Sequence, residues 1–188
     1  MKNRFIPGHL LFRRTRLGNV MAFEIKIEPL TREHFEPFGQ VIEAEEPAEM
    51  ITINDGYATR YHDLATVDVS ASAGRPLINI FRGRPRPLPI TIHMLERHPL
   101  GSQAFIPLHE DPFLLVVAPV GEHVDVHDLS AFITNGKQGI NYAVNVWHFP
   151  LLVLGSEEKD FLVVDRGGDG ENCEERYFNS DKIGTLVL

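Results

Sequence analysis

The sequence contains little cysteine and no long apolar run. Cys173 is the only cysteine among the 188 residues, so an internal disulfide is excluded and a reducing compartment is favoured. No apolar run approaches the roughly 20 residues that a membrane helix needs. We therefore expect a cytoplasmic protein that has no membrane partner.

Acidic residues are missing from the first 20 positions, which carry five lysine and arginine residues. This composition resembles a transit peptide, but the first regular apolar pattern begins directly after Met21. We therefore expect residues 1–20 to be a basic extension that lies outside the fold. Residues 21–188 contain no repeat or low-complexity linker, and we expect them to form a single domain with a sizeable core.

The rest of the chain is more acidic than the total charge indicates. The formal net charge of the whole chain is −8, and five positive charges lie in the extension. Residues 21–188 therefore carry a net charge of −13. Such a surface repels phosphate groups, so we do not expect a nucleic-acid partner. A small anion can still be bound by one or two local arginines.

Short apolar segments that alternate with polar residues predict a mainly β fold. Asn54-Asp55-Gly56 predicts a hairpin between strands at 50–53 and 57–64. Further strands are predicted at 23–27, 41–44, 77–81, 90–94, 103–108, 113–118, 140–147, 151–154 and 161–165. Many short strands with regularly spaced turns indicate a sandwich or barrel.

Two short helices interrupt this pattern. Thr31 is a suitable N-cap for a helix that runs to Phe38, and Gly39 would end it. A second short helix is predicted within residues 125–132.

Polar side chains gather in residues 93–107, around a Pro-Leu-Gly turn that follows a strand pattern. Glu96 and His98 are two positions apart, so both point to one face of a strand. Gln103 follows the turn. Because polar groups on an inward face are costly unless they are paired or used, this segment is a candidate site.

Other predicted strands offer polar groups that would meet at one mouth of a barrel. Any one of these polar residues is equally consistent with a solvated face or a satisfied buried histidine, but the whole set favours a cluster. The residues are Arg60 and His62, Asn79 and Arg82, and His148.

The spacing of Glu96, His98 and Gln103 resembles the first motif of the cupin family, His-x-His followed by Glu. Residues 143–148 resemble the second, Pro-x-Gly-x-x-His, with Asn145 at the glycine position, where asparagine tolerates a left-handed backbone. The resemblance implies a mainly β, cupin-like (double-stranded β-helix or jelly-roll) barrel. If a divalent metal is bound, its ligands would be Glu96, His98, Gln103 and His148.

A longer resemblance covers the chain from about residue 21 to residue 172. The segments that carry it are 60–64, 88–93, 96–107, 131–136, 138–142, 145–148 and 165–168. Together they are similar to the ureidoglycolate lyase family. This resemblance implies a cupin-like homodimer that splits ureidoglycolate into glyoxylate and urea in allantoin breakdown. It also implies nickel as a metal and no organic cofactor.

The substrate implied by this resemblance carries a carboxylate, a hydroxyl group and a ureido nitrogen on one carbon. Its elimination requires a base, an acid and a cation that binds the carboxylate, for which Arg60 or Arg82 is suitable. The candidates for base and acid, which the sequence does not assign further, are Glu96, His98 and His148. The remaining candidates for substrate binding are Gln103, Asn79 and Asn141, which would bind the urea amide, and His62.

Two other functions are compatible with the same residues. An amidohydrolase on the same fold would release ammonia and carbon dioxide from ureidoglycolate. A non-catalytic cupin would bind a small carboxylate without turnover. The products formed from ureidoglycolate distinguish the three.

Overall fold

The computed structural model describes residues 14–17, 20–45, 48–179 and 182–187. Within them the chain forms eighteen strands, one short α-helix and four 3-10 turns, which confirms the mainly β prediction. The strands are β1 (Arg14–Leu17), β2 (Val20–Ile25), β3 (Ile27–Pro29), β4 (Gly39–Ile42), β5 (Glu49–Ile53), β6 (Ala58–His62), β7 (Arg75–Gly83), β8 (Ile90–Ile92), β9 (Met94–Arg97), β10 (Gln103–Pro107), β11 (Phe113–Ala118), β12 (Ser130–Ile133), β13 (Gly139–Tyr142), β14 (Trp147–His148), β15 (Leu152–Val153), β16 (Lys159–Gly167), β17 (Glu174–Tyr177) and β18 (Lys182–Leu186). The helix α1 is Arg32–Phe35, and the 3-10 turns are Glu36–Phe38, Asn54–Gly56, Ala71–Ala73 and Val126–Asp128.

Two large sheets pack face to face as a cupin-like β-sandwich. One has the strand order β4-β13-β10-β16-β7, and the other has the order β17-β9-β14-β11-β12-β3 with β15 paired to β11. A four-stranded sheet, β1-β2-β18-β8, covers the outer side of the second sheet, and β5 and β6 form a separate hairpin.

Strand β11 lies at the centre of this arrangement and is buried on both faces. Phe113, Leu115 and Val117 belong to the core between the two large sheets. The alternate residues of β11 belong to the core beneath the four-stranded sheet. Because side chains alternate along a strand, this continuous apolar run contributes to both cores at once.

The predicted turns are confirmed at the hairpin and at the first helix. Asn54 and Asp55 have positive φ angles of 54° and 55°, which suits the tight connection between β5 and β6. The Thr31 hydroxyl accepts a hydrogen bond from the backbone N–H of His34 at 3.2 Å, and α1 continues as a 3-10 turn to Phe38.

The predicted helix at 125–132 is wrong beyond its first turn. Asp125 caps a single 3-10 turn, and the chain then forms β12, which pairs with β11 and β3. Ala131 and Phe132 are both buried and belong to opposite cores. A strand places neighbouring residues on opposite faces and satisfies their backbone groups in the sheet, and this outweighs the local helical pattern.

The expectation that residues 1–20 lie outside the fold is corrected for Arg14–Leu17 and Val20. Strand β1 pairs antiparallel with β2, with Leu17 opposite Val20 and Arg14 opposite Phe23. The pairing satisfies backbone groups along the edge of β2, which the charge pattern of the segment does not reveal. Residues 1–13, 18 and 19 lie outside the described residues.

No helix in the described part of the chain is long and apolar enough to cross a membrane.

Asn145 provides a test of the turn that leads into β14. It adopts a left-handed φ of 67°, as the motif comparison predicts, and its backbone N–H donates to the carbonyl of His98 at 3.0 Å. Its side-chain oxygen accepts no hydrogen bond from the described residues.

We expect Asn145→Gly to leave the free energy of unfolding unchanged within about 0.5 kcal/mol, because glycine adopts this conformation freely.

Asn145→Val should lower the free energy of unfolding by about 1–2 kcal/mol, because a β-branched residue is strained at positive φ. Urea denaturation of both variants measures the difference. Equal stability of the glycine and valine variants would contradict the proposed role of backbone conformation at this position.

Candidate active site

A cavity of about 810 Å³ opens at one end of the sandwich, where β9 and β10 meet the segment that follows β7. Phe81 and Phe105 contribute an apolar wall. The polar lining consists of Arg82, Arg84, Arg86, Glu96, His98 and Gln103. The sequence segment 93–107 therefore supplies half of the polar groups of this cavity.

The structure brings Glu96, His98 and His148 together, as the sequence predicts. Glu96 on β9 lies directly opposite His148 on β14 in the antiparallel register. Glu96 Oε1 is 3.6 Å from His148 Nε2, and the ring centroids of the two histidines are 5.1 Å apart. One ligand atom from each of the three residues lies within 4.8 Å of the others.

Backbone carbonyl groups determine which nitrogen of each imidazole carries the proton. His98 Nδ1 lies 2.6 Å from the carbonyl oxygen of Asn172, and His148 Nδ1 lies 3.0 Å from that of Val146. A carbonyl oxygen only accepts hydrogen bonds, so each neutral ring carries its proton on Nδ1. Both Nε2 atoms are buried without a hydrogen-bond partner among the described residues, and each presents a lone pair.

The charge states of Glu96 and His98 follow from their surroundings. Burial lowers the pKa of His98, and the nearby His148 lowers it further. Burial alone would raise the pKa of Glu96, but the nearby imidazoles of His148 and His98 lower it overall. At neutral pH the cavity therefore holds a neutral His98 beside an ionised Glu96.

Asp165 lies beside the candidate site and was not among the residues predicted from the sequence. It accepts a hydrogen bond from Asn79 Nδ2 at 2.9 Å, and Gln103 lies next to both Asp165 and His98. Burial raises the pKa of the Asp165 carboxyl. The alternation of side chains along the strand could have identified it. Asp165 is on the same face of β16 as the buried residues Phe161 and Val163.

Arg82 lines the cavity, but its guanidinium group is already engaged. It donates from Nε and Nη2 to the two carboxylate oxygens of Asp160 at 2.7 and 2.8 Å. A planar guanidinium uses both donors of its fork in such a pair. Arg82 is therefore less available to a substrate carboxylate than the sequence suggests.

Three predicted residues neither line the cavity nor belong to the groups around Glu96, His98 and Asp165. Arg60 and His62 belong to the separate β5–β6 hairpin, where Arg60 is exposed. Asn141 is paired with Ala104, on the opposite face of its sheet from Gln103, and donates to Gln40 Oε1 and the carbonyl of Thr66. Asn141 thus holds β13 against β4 and the segment beyond β6.

The donor set of the site fits a first-row divalent metal. Two imidazole Nε2 lone pairs and one carboxylate face each other without other hydrogen-bond partners for the nitrogens. The Nδ1–H groups donate to backbone carbonyls, which is how metal-binding histidines are usually oriented. Glu96, His98 and His148 could therefore hold a metal, with Gln103 on β10 of the other large sheet as a further oxygen donor.

The lowered pKa of His98 predicts how the stability of the fold depends on pH. As the pH falls below about 6.5, the ordinary pKa of histidine, the unfolded chain binds a proton at this position before the folded chain does. Stability is therefore lost as the pH falls from about 6.5 toward the lower folded pKa. We expect His98→Gln to remove this part of the acid-side loss.

Urea denaturation of the wild-type protein and the variant between about pH 8 and pH 5 measures the effect as a difference of two curves. Histidines distant from His98 contribute equally to both curves and cancel, so the difference reports His98 together with its coupled neighbours Glu96 and His148. A stability difference that stays constant with pH would contradict the assignment.

A family model and several known proteins match this chain over most of its length. The family model for ureidoglycolate lyase matches residues 22–184. A protein named ureidoglycolate lyase from Burkholderia mallei (strain NCTC 10229) is 57% identical over 152 residues, which cover 81% of this chain and 88% of that protein. Proteins of the same name from Pseudomonas syringae pv. syringae (strain B728a) and Azotobacter vinelandii are 51% and 49% identical over 162 and 158 residues. These matches cover 86% and 84% of this chain and 93% and 94% of the two relatives. The chain belongs to the ureidoglycolate lyase family.

Proposed function

We propose that this protein is a lyase that splits ureidoglycolate into glyoxylate and urea, a step of allantoin and purine breakdown. The observation that carries the proposal is the cluster of two buried histidine Nε2 atoms, without hydrogen-bond partners among the described residues, with Glu96. The names of the relatives support the choice of substrate.

The reaction is an elimination across one carbon atom. A base removes the proton of the hydroxyl group, the electron pair of that O–H bond forms the C=O bond of glyoxylate, and the C–N bond breaks. An acid gives a proton to the departing nitrogen, which leaves in urea. No water is consumed, so the protein needs only to bind the substrate and transfer one proton on each side.

His98 is suited to act as the base. Its Nδ1–H is held by the carbonyl of Asn172, its Nε2 carries the lone pair, and its lowered pKa keeps it neutral at neutral pH. A positioned imidazole of this kind contributes roughly 10²–10⁴-fold to rate.

His148 is suited to supply the proton to the departing nitrogen when its imidazole carries a second proton. Because Nδ1 donates to the carbonyl of Val146, that proton would be on Nε2. The ionised Glu96, whose Oε1 is 3.6 Å from Nε2, would stabilise the imidazolium by its charge. Tyr142 stacks on the His148 ring at 4.3 Å between centroids and limits its rotation. Burial raises the pKa of the Tyr142 hydroxyl, so Tyr142 is not itself an acid–base group at neutral pH.

The ureido end of the substrate matches the amide and carboxyl groups beside His98. Gln103 offers both a donor and an acceptor, and Asp165, held by Asn79, offers a further oxygen. If a divalent metal such as nickel is bound by Glu96, His98, Gln103 and His148, it would lower the pKa of the substrate hydroxyl group.

A product assay tests the function directly. We expect the purified protein to convert ureidoglycolate into glyoxylate and urea in equal amounts, with and without chelator as parallel arms that report any metal requirement. His98→Gln should lower kcat by about 10²–10⁴-fold because the base is lost. His93→Gln is the matched control, because His93 is exposed and lies outside the cavity lining.

Ammonia released without urea would contradict the lyase assignment and favour the amidohydrolase. Binding of glyoxylate without any turnover of ureidoglycolate would favour the non-catalytic cupin.

We further propose that the protein is a homodimer that uses the outer face of the β7–β16–β10 sheet. Ile78 and Ile80 on the edge strand β7 are 76% and 56% exposed. The antiparallel register places Val164 and Leu162 beside them on the same face, and Ile106 beside Leu162. A contiguous exposed apolar face of this kind favours association, and two-fold dimers are the commonest oligomers.

We expect the double variant Ile78→Asp, Ile80→Asp to halve the molar mass measured by light scattering, because two charges cannot be buried in an apolar interface. Val120→Asp, at a residue that is 57% exposed and outside this face, should leave the mass unchanged. A dimer that persists in the double variant, or a monomeric wild-type protein, would refute this interface.

A cytoplasmic location is proposed on the cysteine content. The single thiol, Cys173, is free and exposed, which suits a reducing compartment.

A further inference from the structure

Three arginines line the cavity, but acidic neighbours neutralise two of them. Arg82 forms the bidentate pair with Asp160. Arg84 Nε donates to Glu158 Oε1 at 2.7 Å. Both carboxylates come from the start of β16 or the turn before it, so these two cations contribute little net positive charge to the cavity.

Arg86 differs from both. Among the described residues no carboxylate pairs with it, and its guanidinium carbon lies 4.9 Å from the centroid of the Phe149 ring. Stacking on an aromatic face holds the guanidinium plane but leaves the N–H donors at its edge available. Phe149 directly follows His148 in the chain but belongs to the core beneath the four-stranded sheet. Arg86 itself is part of the cavity lining.

The backbone around Arg86 is restricted by proline. Pro85, Pro87 and Pro89 fix their own φ angles and hold the residues before them in extended conformations. Pro85 also forms a parallel bridge with Val153, which attaches the segment to the sandwich. A cation on such a segment loses little conformational freedom when it binds a ligand.

We propose that Arg86 binds the carboxylate of the substrate, and that neither Arg60 nor Arg82 does. The inference rests on the proposed function for the identity of the substrate, but the chemistry it needs is only a small carboxylate. Arg86 is then a substrate-binding and specificity-determining residue of the cavity lining.

Glyoxylate and urea, the two products, separate this role from a structural one. Glyoxylate carries the carboxylate and urea does not. We expect Arg86→Gln to weaken glyoxylate binding, measured by calorimetry and as product inhibition, by about 10- to 100-fold, the range for a hydrogen bond to a charged group. Inhibition by urea should not change, KM for ureidoglycolate should rise, and Arg86→Lys should restore part of the glyoxylate affinity.

Arg84→Gln is the matched control, since Arg84 lies on the same segment and is engaged by Glu158. It should leave glyoxylate binding within about twofold of wild type, a change well below that of a lost charged hydrogen bond. Arg82→Gln tests the competing assignment directly.

The proposal is overturned if Arg86→Gln binds glyoxylate as the wild-type protein does, if Arg82→Gln or Arg84→Gln causes an equal or larger loss, or if the wild-type protein does not bind glyoxylate. Failure of the lyase function has a different signature. In that case calorimetry would still detect Arg86-dependent glyoxylate binding, but the wild-type protein would not produce glyoxylate and urea from ureidoglycolate.

Discussion

Two hydrogen bonds from histidine Nδ1 atoms to backbone carbonyls determine what this cavity can do. If Nδ1 of His98 or His148 were not held by Asn172 or Val146, either ring could exchange its tautomer and present an N–H to the cavity. A ring that presents an N–H cannot accept a proton or bind a metal through that atom. The lone pairs on both Nε2 atoms are therefore a property of the backbone around them.

Further hydrogen bonds hold the backbone segments around the site together. The side chain of Asn172 accepts a hydrogen bond from the backbone N–H of Leu100, so one residue fixes both the His98 ring and the turn that follows it. Asn145 donates from its backbone to the carbonyl of His98, and its left-handed conformation directs the chain into β14 and His148. Beneath these turns, β11 pairs with β14 and is buried on both faces, which makes the support rigid.

The sequence predicts those parts of this design that depend on short-range spacing. Glu96 and His98 share a strand face by parity, and Asn145 tolerates a left-handed backbone, so both were predictable. Most strands were also predictable from apolar alternation. In contrast, β17 has no apolar alternation and all four of its residues are exposed, so its place beside β9 depends on tertiary pairing.

The parts that were not predictable depend on partners distant in sequence. The sequence makes Arg82 a reasonable anion-binding residue. In the structure its guanidinium group donates to Asp160, which is 78 positions away. Asn141 is a polar residue on a buried strand, but the register of β13 with β10 places it on the opposite face of the sheet from Gln103. Asp165 was not identified because the Asn79 side chain that holds it is 86 positions away. Its neighbour Arg166 is buried and donates to the backbone carbonyls of Ala71 and Asp169.

Under the proposed function, the charges of the cavity bear on how an anionic substrate would be oriented. An ionised Glu96 repels a carboxylate from the two histidines beside it. Asp165 and Gln103, next to His98, offer oxygen atoms that suit the N–H groups of a ureido function. Asp160 and Glu158 offset the charges of Arg82 and Arg84. Attraction of the carboxylate would therefore rest on Arg86, the lining arginine that pairs with no carboxylate among the described residues.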